Sequence, residues 1–253
     1  MPRITWCTTG PLSFLPIHAA GDYYTQTMIF DYVVSSSYTP SLSALLPPAS
    51  MASAFSGLFA VGQASTPGMS PLPGTTVELD QIQERFQGLP ASRLEGTKAT
   101  PATVLAAVEE ASWVHFACHA NQDLGDPTKS AFHLHDGTLD LATIAQKQLK
   151  HAELAFLSAC QTATGHKSIS DEAVHLAAGM LTAGFSTVIA TMWSIGDEDA
   201  PLIAEKVYEY LIEGGKPDAR RAAVAVHKAT ECLRAKVGVR NIVKWAPYVH
   251  IGL

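Results

Sequence analysis

The chain has 253 residues, of which 47% are hydrophobic and 16% are charged, and its formal net charge is −6. This balance is typical of a globular protein and excludes a largely disordered chain. Because the sequence is acidic overall and contains no block of basic residues, nucleic acid is not expected as a partner.

The four cysteines are far apart and form no C-x-x-C pair; they are Cys7, Cys118, Cys160 and Cys232. In a chain of this size, such spacing indicates a reduced, cytoplasmic protein and not a disulfide framework. The N-terminus lacks a basic region followed by an apolar run, so no signal peptide is expected. No segment reaches the ~20 apolar residues of a membrane span, so no membrane partner is expected.

The N-terminal third contains apolar segments separated by turn signals. Its predicted strands are RITWC, IFDYVVSS and SGLFAVGQA. After Thr39-Pro40, Ser41 is predicted to cap a short helix that runs to Leu46. Residues 65–76 are rich in Pro, Gly, Ser and Thr, which predicts a surface loop.

From residue 77 onward, predicted helices and strands alternate. The predicted helices are VELDQIQERF, TPATVLAAVEEA with Thr100 as its cap, DEAVHLAAGMLTAGF, DEDAPLIAEKVYEYLIEGG and PDARRAAVAVHKATECLRAK. The predicted strands are ASRLEG, SWVHFAC, AELAFLSAC, STVIATMW and WAPYVHIG, with a hairpin around Asp136-Gly137. This alternation predicts an α/β fold with a mostly parallel central sheet and helices on both faces. We expect one domain over residues 1–253, with a smaller N-terminal part about 1–76 and a catalytic part about 77–253.

Two consecutive predicted strands end on reactive residues. SWVHFAC leads into His119, and AELAFLSA leads into Cys160. Because the carboxyl ends of parallel strands meet at one edge of a sheet, neighbouring strands would bring this histidine and this cysteine within reach. An imidazole can activate a thiol as a nucleophile. The backbone N–H groups of Cys160 and of Ala120 are candidates for an oxyanion hole.

Simpler roles compete with catalysis for the same residues. A cysteine at the end of a strand is more often a small core residue than a nucleophile. By strand periodicity His115 shares a face with His119, although its mid-strand position favours a core role. Cys118, His119, His133 and His135 fit no common zinc spacing, so neither a metal nor any other cofactor is expected.

The segments VHFACHA, LAFLSACQTATG, GFSTVIATMWSIGDEDAP and WAPYVHIG together resemble the CHAT family, in order and spacing. That family comprises caspase-like cysteine peptidase domains related to caspases, metacaspases and separase, usually found beside tetratricopeptide repeats. The resemblance places the family's histidine on His119 and its nucleophile on Cys160. The family's usual Gly-His-Gly is replaced here by Cys118-His119-Ala120. An alanine in the third position keeps the N–H but restricts the backbone.

The resemblance also suggests roles for the segment after the strand STVIATMW. Trp193 is a candidate wall of the substrate pocket, and Asp197 is a candidate floor of the S1 pocket that would pair with a basic P1 side chain. Asp197 also precedes a predicted helix, where a carboxylate would stabilise the helix N-terminus. The two roles of Asp197 are compatible.

Two principal functions follow from these residues. The first is a cysteine endopeptidase that acts on protein substrates through a Cys160–His119 dyad and belongs to a regulated signalling or defence protein. The second is a catalytically silent signalling or interaction module with the same fold, associated with a tetratricopeptide-repeat region. A glutaminase or small-molecule hydrolase would need a nucleophile elbow such as G-x-C-x-G, and S-A-C-Q-T lacks both glycines.

Overall fold

The computed structural model describes residues 1–25, 27–46, 54–121, 123, 129–147, 149, 151–158, 160–161 and 172–252. For Phe14, Cys160, Gln161 and residues 172–175 it describes the backbone alone. None of the helices in these ranges is long and apolar enough to cross a membrane.

A central sheet of eight strands organises the described residues. Its strands are β1 (Arg3–Trp6), β4 (Ser35–Tyr38), β5 (Leu58–Gly62), β6 (Ala91–Glu95), β7 (Trp113–Ala117), β11 (Leu154–Leu157), β13 (Thr187–Thr191) and β14 (Tyr248–Gly252). They lie in the order β1-β4-β14-β13-β11-β7-β5-β6. Neighbours run parallel except β13 and β14, which pair antiparallel. The sheet is therefore mostly parallel, as the alternation of helices and strands predicted.

Two smaller sheets complete the strand pairing. One is the ribbon of β2 (Gly21–Asp22) and β3 (Thr27–Met28). The other has four strands in the order β10-β9-β8-β12, comprising β8 (His119–Asn121), β9 (Ala131–His133), β10 (Thr138–Asp140) and β12 (Cys160–Gln161). The antiparallel β9–β10 pair is the hairpin predicted around Asp136-Gly137.

Helices cover both faces of the central sheet. They are α1 (Gly74–Arg85), α2 (Pro101–Glu110), α3 (Leu141–Ala145), α4 (Glu172–Thr182), α5 (Ala200–Leu211), α6 (Ala222–Val237) and α7 (Ile242–Trp245). Alternate residues of each strand point to opposite faces. In β11, accordingly, Ala155 and Leu157 join the core beneath α2, α3 and α4. Leu154 and Phe156 join the core beneath α1, α5 and α6.

Local signals account well for several helix starts. Thr100 caps α2 through a reciprocal pair with Thr103, and Pro101 occupies the first turn, where its missing N–H costs nothing. Ser41 accepts a hydrogen bond from the Ala44 N–H, as predicted, although the short helix that it caps is of the 3-10 type.

The predicted strand IFDYVVSS is wrong in its first half. Residues Ile29–Tyr32 form a 3-10 helix, and the strand begins only at Ser35. Tertiary contacts override the local β-propensity here. The Phe30 ring stacks on His227, and Asp31 pairs with Arg234, so both residues face helix α6 instead of joining a strand.

Two histidines are buried beside strand β4 of the central sheet. The His18 ring nitrogen Nδ1 lies 2.8 Å from the Tyr38 hydroxyl, and His250 Nδ1 lies 2.8 Å from the Ser37 hydroxyl. Burial lowers the pKa of each imidazole from 6.5 to about 4. Both side chains are therefore neutral in the folded protein at neutral pH.

We expect the free energy of unfolding to fall as the pH is lowered from about 6.5 towards 4, because the unfolded chain then binds protons that folded His18 and His250 do not accept. Each histidine should contribute on the order of 2 kcal/mol to this loss by about pH 4.5. Urea denaturation of wild type and His250→Asn at about pH 7 and 4.5 tests this. The variant should lose less stability between the two pH values, and an equal loss would contradict the assignment.

Candidate active site

The segments that carry the predicted functional residues converge at the carboxyl ends of β5, β7, β11 and β13. This is the edge at which open parallel sheets bind ligands. The register of these four strands is continuous, since Phe116 of β7 lies beside both Val61 of β5 and Leu157 of β11, and Phe156 lies beside Ile189 of β13. The segments that follow each strand therefore emerge side by side.

His119 and Cys160 are cross-strand partners, but not within the central sheet. The predicted strands SWVHFAC and AELAFLSAC correspond to β7 and β11, but the second strand is shorter than predicted and stops before Cys160. β7 ends at Ala117, β11 ends at Leu157, and the chain continues into the four-stranded sheet. There β8 and β12 pair in parallel, with Cys160 opposite His119. Neighbouring strands are about 4.8 Å apart, so the two backbones meet at this register position.

The His119 ring is held from one side by a backbone carbonyl. Its Nε2 lies 2.8 Å from the carbonyl oxygen of Ser70, in the loop between β5 and α1. Because a carbonyl can only accept, Nε2 must carry the hydrogen. Among the described residues Nδ1 has no hydrogen-bond partner. The contact with Ser70 therefore orients the buried ring and leaves Nδ1 available to accept a hydrogen bond or a proton.

Residues near His119 have other roles in the structure. His115 is fully buried between Glu78 and Tyr208, as its mid-strand position predicted. Cys118 is buried in the core beneath α2. Burial lowers the pKa of His133, and the charge of His119 acts in the same direction. Within the described ranges, no three His, Cys, Asp or Glu side chains cluster in a way that could hold a metal ion.

Asp197 stabilises a helix, but a different one from the helix that its sequence position suggested. Its Oδ2 accepts a hydrogen bond of 2.6 Å from the Gly74 N–H, at the first turn of α1. The helix that follows it in sequence, α5, has Asp199 at its N-cap position. The half-buried Asp197 carboxylate thus joins the loop after β13 to the loop before α1.

The loop over residues 192–199 is itself held by contacts with helices α6 and α7. The Trp193 indole N–H donates to the Val243 carbonyl at 2.9 Å, and the ring packs on the core beneath α5 and α6. The buried Asp199 carboxylate lies 3.1 Å from Lys236 Nζ and 3.4 Å from Lys244 Nζ. These contacts fix the segment that carries both predicted pocket residues.

The backbone of the predicted oxyanion hole lies on the paired strands. Ala120 follows His119 in β8 and has Gln161 as its cross-strand partner, one residue after Cys160. Ala120 is also paired with Phe132 of β9, and its side chain is fully buried. The polar stretch 162–171, which follows β12, lies outside the described residues.

Sequence reasoning missed two contributors to this site, Ser70 and Gly74. Both belong to the segment 65–76, which its Pro and Gly content predicted only as a surface loop. Ser70 acts through its carbonyl, so its side chain gives no signal. For Gly74 the signal is steric, since a Cβ at that position would overlap the backbone of Asp197.

Solved structures with a similar fold include a cysteine proteinase and separase. Gingipain R (RgpB) of Porphyromonas gingivalis, an Arg-specific cysteine proteinase, is 12% identical with a TM-score of 0.53, covering 78% of this chain and 46% of that one. Separase in the Saccharomyces cerevisiae separase–securin complex is 16% identical with a TM-score of 0.58, covering 95% of this chain and 14% of that one. The chain thus spans less than half the length of either protein. At these identities the likeness establishes the caspase-like fold alone.

Sequence comparison gives the family. No curated protein matches the chain significantly. The family model described as CHAT domain matches residues 1–253, which is the entire sequence. The chain therefore belongs to the CHAT domain family, as the four quoted segments predicted.

Proposed function

We propose that this CHAT domain is a cysteine endopeptidase in which Cys160 is the nucleophile and His119 is the general acid and base. The observation that carries the proposal is the register of β8 and β12, which pairs these two residues across neighbouring strands. Their position at the carboxyl edge of the sheet and the caspase-like fold support it.

The contacts of His119 favour proton transfer through Nδ1. The Ser70 carbonyl occupies the Nε2–H, so the ring keeps one tautomer and one orientation. In the proposed reaction Nδ1 takes the proton of the Cys160 thiol, and the thiolate attacks the peptide carbonyl carbon. The backbone N–H groups of Ala120 and Cys160 stabilise the oxyanion. His119 then protonates the leaving amine, and water hydrolyses the thioester to regenerate the thiol.

The substrate in this proposal is a protein. Trp193 and Asp197 lie on the loop after β13, next to the loop that carries Ser70. Trp193 is the candidate wall of the substrate pocket, and Asp197 is the candidate floor of its S1 part. We further propose that the domain works within a longer protein in which a tetratricopeptide-repeat region controls its activity.

An irreversible cysteine-directed peptide probe, such as a peptidyl acyloxymethyl ketone, tests the nucleophile. We expect the probe to label wild type at one site and to leave Cys160→Ala unlabelled, because only an activated thiolate reacts rapidly. Cys232→Ala is the matched control, since it removes an exposed thiol remote in sequence from the site and should label like wild type. Equal labelling of Cys160→Ala and wild type, both alone and joined to the repeat region, would contradict the proposal.

The silent-module alternative gives a different pattern in the same experiment. A domain without catalytic function would show no labelling and no cleavage, whether alone or joined to a repeat region. A regulated peptidase would become reactive at Cys160 when the repeat region is supplied. Intact mass of the labelled protein distinguishes these cases.

A further inference from the structure

Two contacts at the site share one short piece of chain. In the loop between β5 and α1, the Ser70 carbonyl accepts a hydrogen bond from His119. Four residues later, the Gly74 N–H donates a hydrogen bond to Asp197. Ser70 and Gly74 are therefore held at the same time by two different parts of the sheet edge. A displacement at one end of this piece would reach the other end unless the intervening residues absorb it.

The intervening residues have little freedom to absorb a displacement. Pro71 and Pro73 restrict their own φ angles to about −65°. Between them, the Leu72 N–H donates to the Ala64 carbonyl at 2.9 Å, which closes the loop at its base. The Leu72 carbonyl accepts from the N–H and the hydroxyl of Thr75, at 3.2 and 2.8 Å. Segment 70–74 therefore behaves as a stiff strut.

The Asp197 end of this strut is closely fitted. Gly74 approaches the Asp197 backbone so tightly that a Cβ would overlap the Asp197 carbonyl oxygen. Asp197 lies two residues before Asp199, whose carboxylate is buried beside Lys236 and Lys244. The loop therefore presents Asp197 to α1 from a fixed support.

We infer that Asp197 is a positioning residue for His119, acting through Gly74 and the Ser70 carbonyl; this inference rests on the proposed peptidase function. The Asp197 carboxylate fixes the position of segment 70–74 through the Gly74 N–H. That segment fixes the position of the Ser70 carbonyl, which keeps the imidazole in the Nε2–H tautomer. Asp197 would then govern catalysis with every substrate, not only with substrates that have a basic P1 side chain.

Peptide cleavage distinguishes this positioning role of Asp197 from a role as the floor of the S1 pocket. If Asp197 positions His119, Asp197→Ala should lower kcat about 10- to 100-fold for a peptide with Gln at P1 as well as for a matched peptide with Arg at P1, with KM for the Gln peptide little changed. A carboxylate that only binds a basic P1 side chain would leave cleavage of the Gln peptide unaffected. Asp197→Asn keeps an oxygen that accepts from the Gly74 N–H, so it should recover most of the kcat that Asp197→Ala loses towards the Gln peptide. Gly74→Ala retains the carboxylate but should lose activity like Asp197→Ala.

A second readout does not depend on turnover. Nitrogen-15 NMR of histidine-labelled protein, with His119→Ala for assignment, reports the tautomer of the ring. Wild type should show the Nε2–H form of His119, and Asp197→Ala should show a mixture. A Cys160→Ala background allows the same measurement in protein that cannot turn over.

The outcomes distinguish the two proposals. Absence of Cys160-dependent cleavage by wild type, both alone and joined to the repeat region, would defeat the peptidase proposal, while the NMR measurement would still decide the positioning role. An active wild type, with Asp197→Ala impaired only towards Arg at P1 and an unchanged His119 tautomer, would overturn the positioning role. A loss of kcat towards the Gln peptide together with a mixed tautomer supports it.

Discussion

Replacing His119 with alanine is expected to lower kcat/KM for peptide cleavage by about 10²–10⁴-fold, the usual contribution of a general acid or base. The reason is that β8 places His119 opposite Cys160, and the contact with Ser70 leaves Nδ1 for proton transfer. The variant should also lose the part of the pH–rate profile that the imidazole controls. A fluorogenic peptide assay across the range in which histidine titrates measures both effects.

His133→Ala is the matched control for this variant. His133 lies in the same four-stranded sheet, on β9, and is close enough for the charge of His119 to lower its pKa. It makes no contact in the proposed reaction, so its replacement should leave kcat/KM within a few-fold of wild type. The dyad would be refuted by a folded His119→Ala protein that cleaves peptides as fast as wild type does.

Replacing His115 with leucine is expected to lower the free energy of unfolding by about 1–3 kcal/mol, the usual cost of leaving a buried polar group without its partner. The His115 Nε2 lies 3.2 Å from Glu78 Oε1, and both side chains are almost completely buried. His115 Nδ1 also lies 3.1 Å from the Tyr208 hydroxyl. The variant therefore leaves the Glu78 carboxyl without its partner between β7 and α1. Urea denaturation at neutral pH measures the loss.

A triple variant, His115→Leu/Glu78→Leu/Tyr208→Phe, provides the control. It removes every polar member of the cluster, so no buried polar group is left unpaired, and much of the lost stability should return. The comparison separates the penalty of an unpaired carboxyl from the cost of repacking the core. If the triple variant is no more stable than His115→Leu, the penalty lies in packing and the unpaired carboxyl is not its cause.

Much of the architecture was predictable from neighbouring residues alone. Apolar runs of strand length, helical periodicity and the Thr100 cap each depend on contacts within a few positions, and the structure contains the corresponding elements. The position of reactive residues after two strands was likewise a local pattern. Combined with the edge rule for parallel sheets, it predicted that His119 and Cys160 would lie together.

Local patterns failed where a distant segment determined the outcome. Phe30 and Asp31 contact helix α6 and lie in a 3-10 helix, not in the predicted strand. The predicted strand AELAFLSAC ends at Leu157, because Cys160 pairs with His119 of β8 in the second sheet and not with a strand of the central sheet.

The sequence by itself determined the α/β class, most of the helices and strands, the family and the candidate pair of His119 and Cys160. Only the tertiary structure decided which atoms support that pair. Ser70 meets His119 across 49 positions, and Gly74 meets Asp197 across 123. Such contacts depend on the order of strands in the sheet and on backbone atoms that every residue type carries. No local pattern of side chains can therefore reveal them.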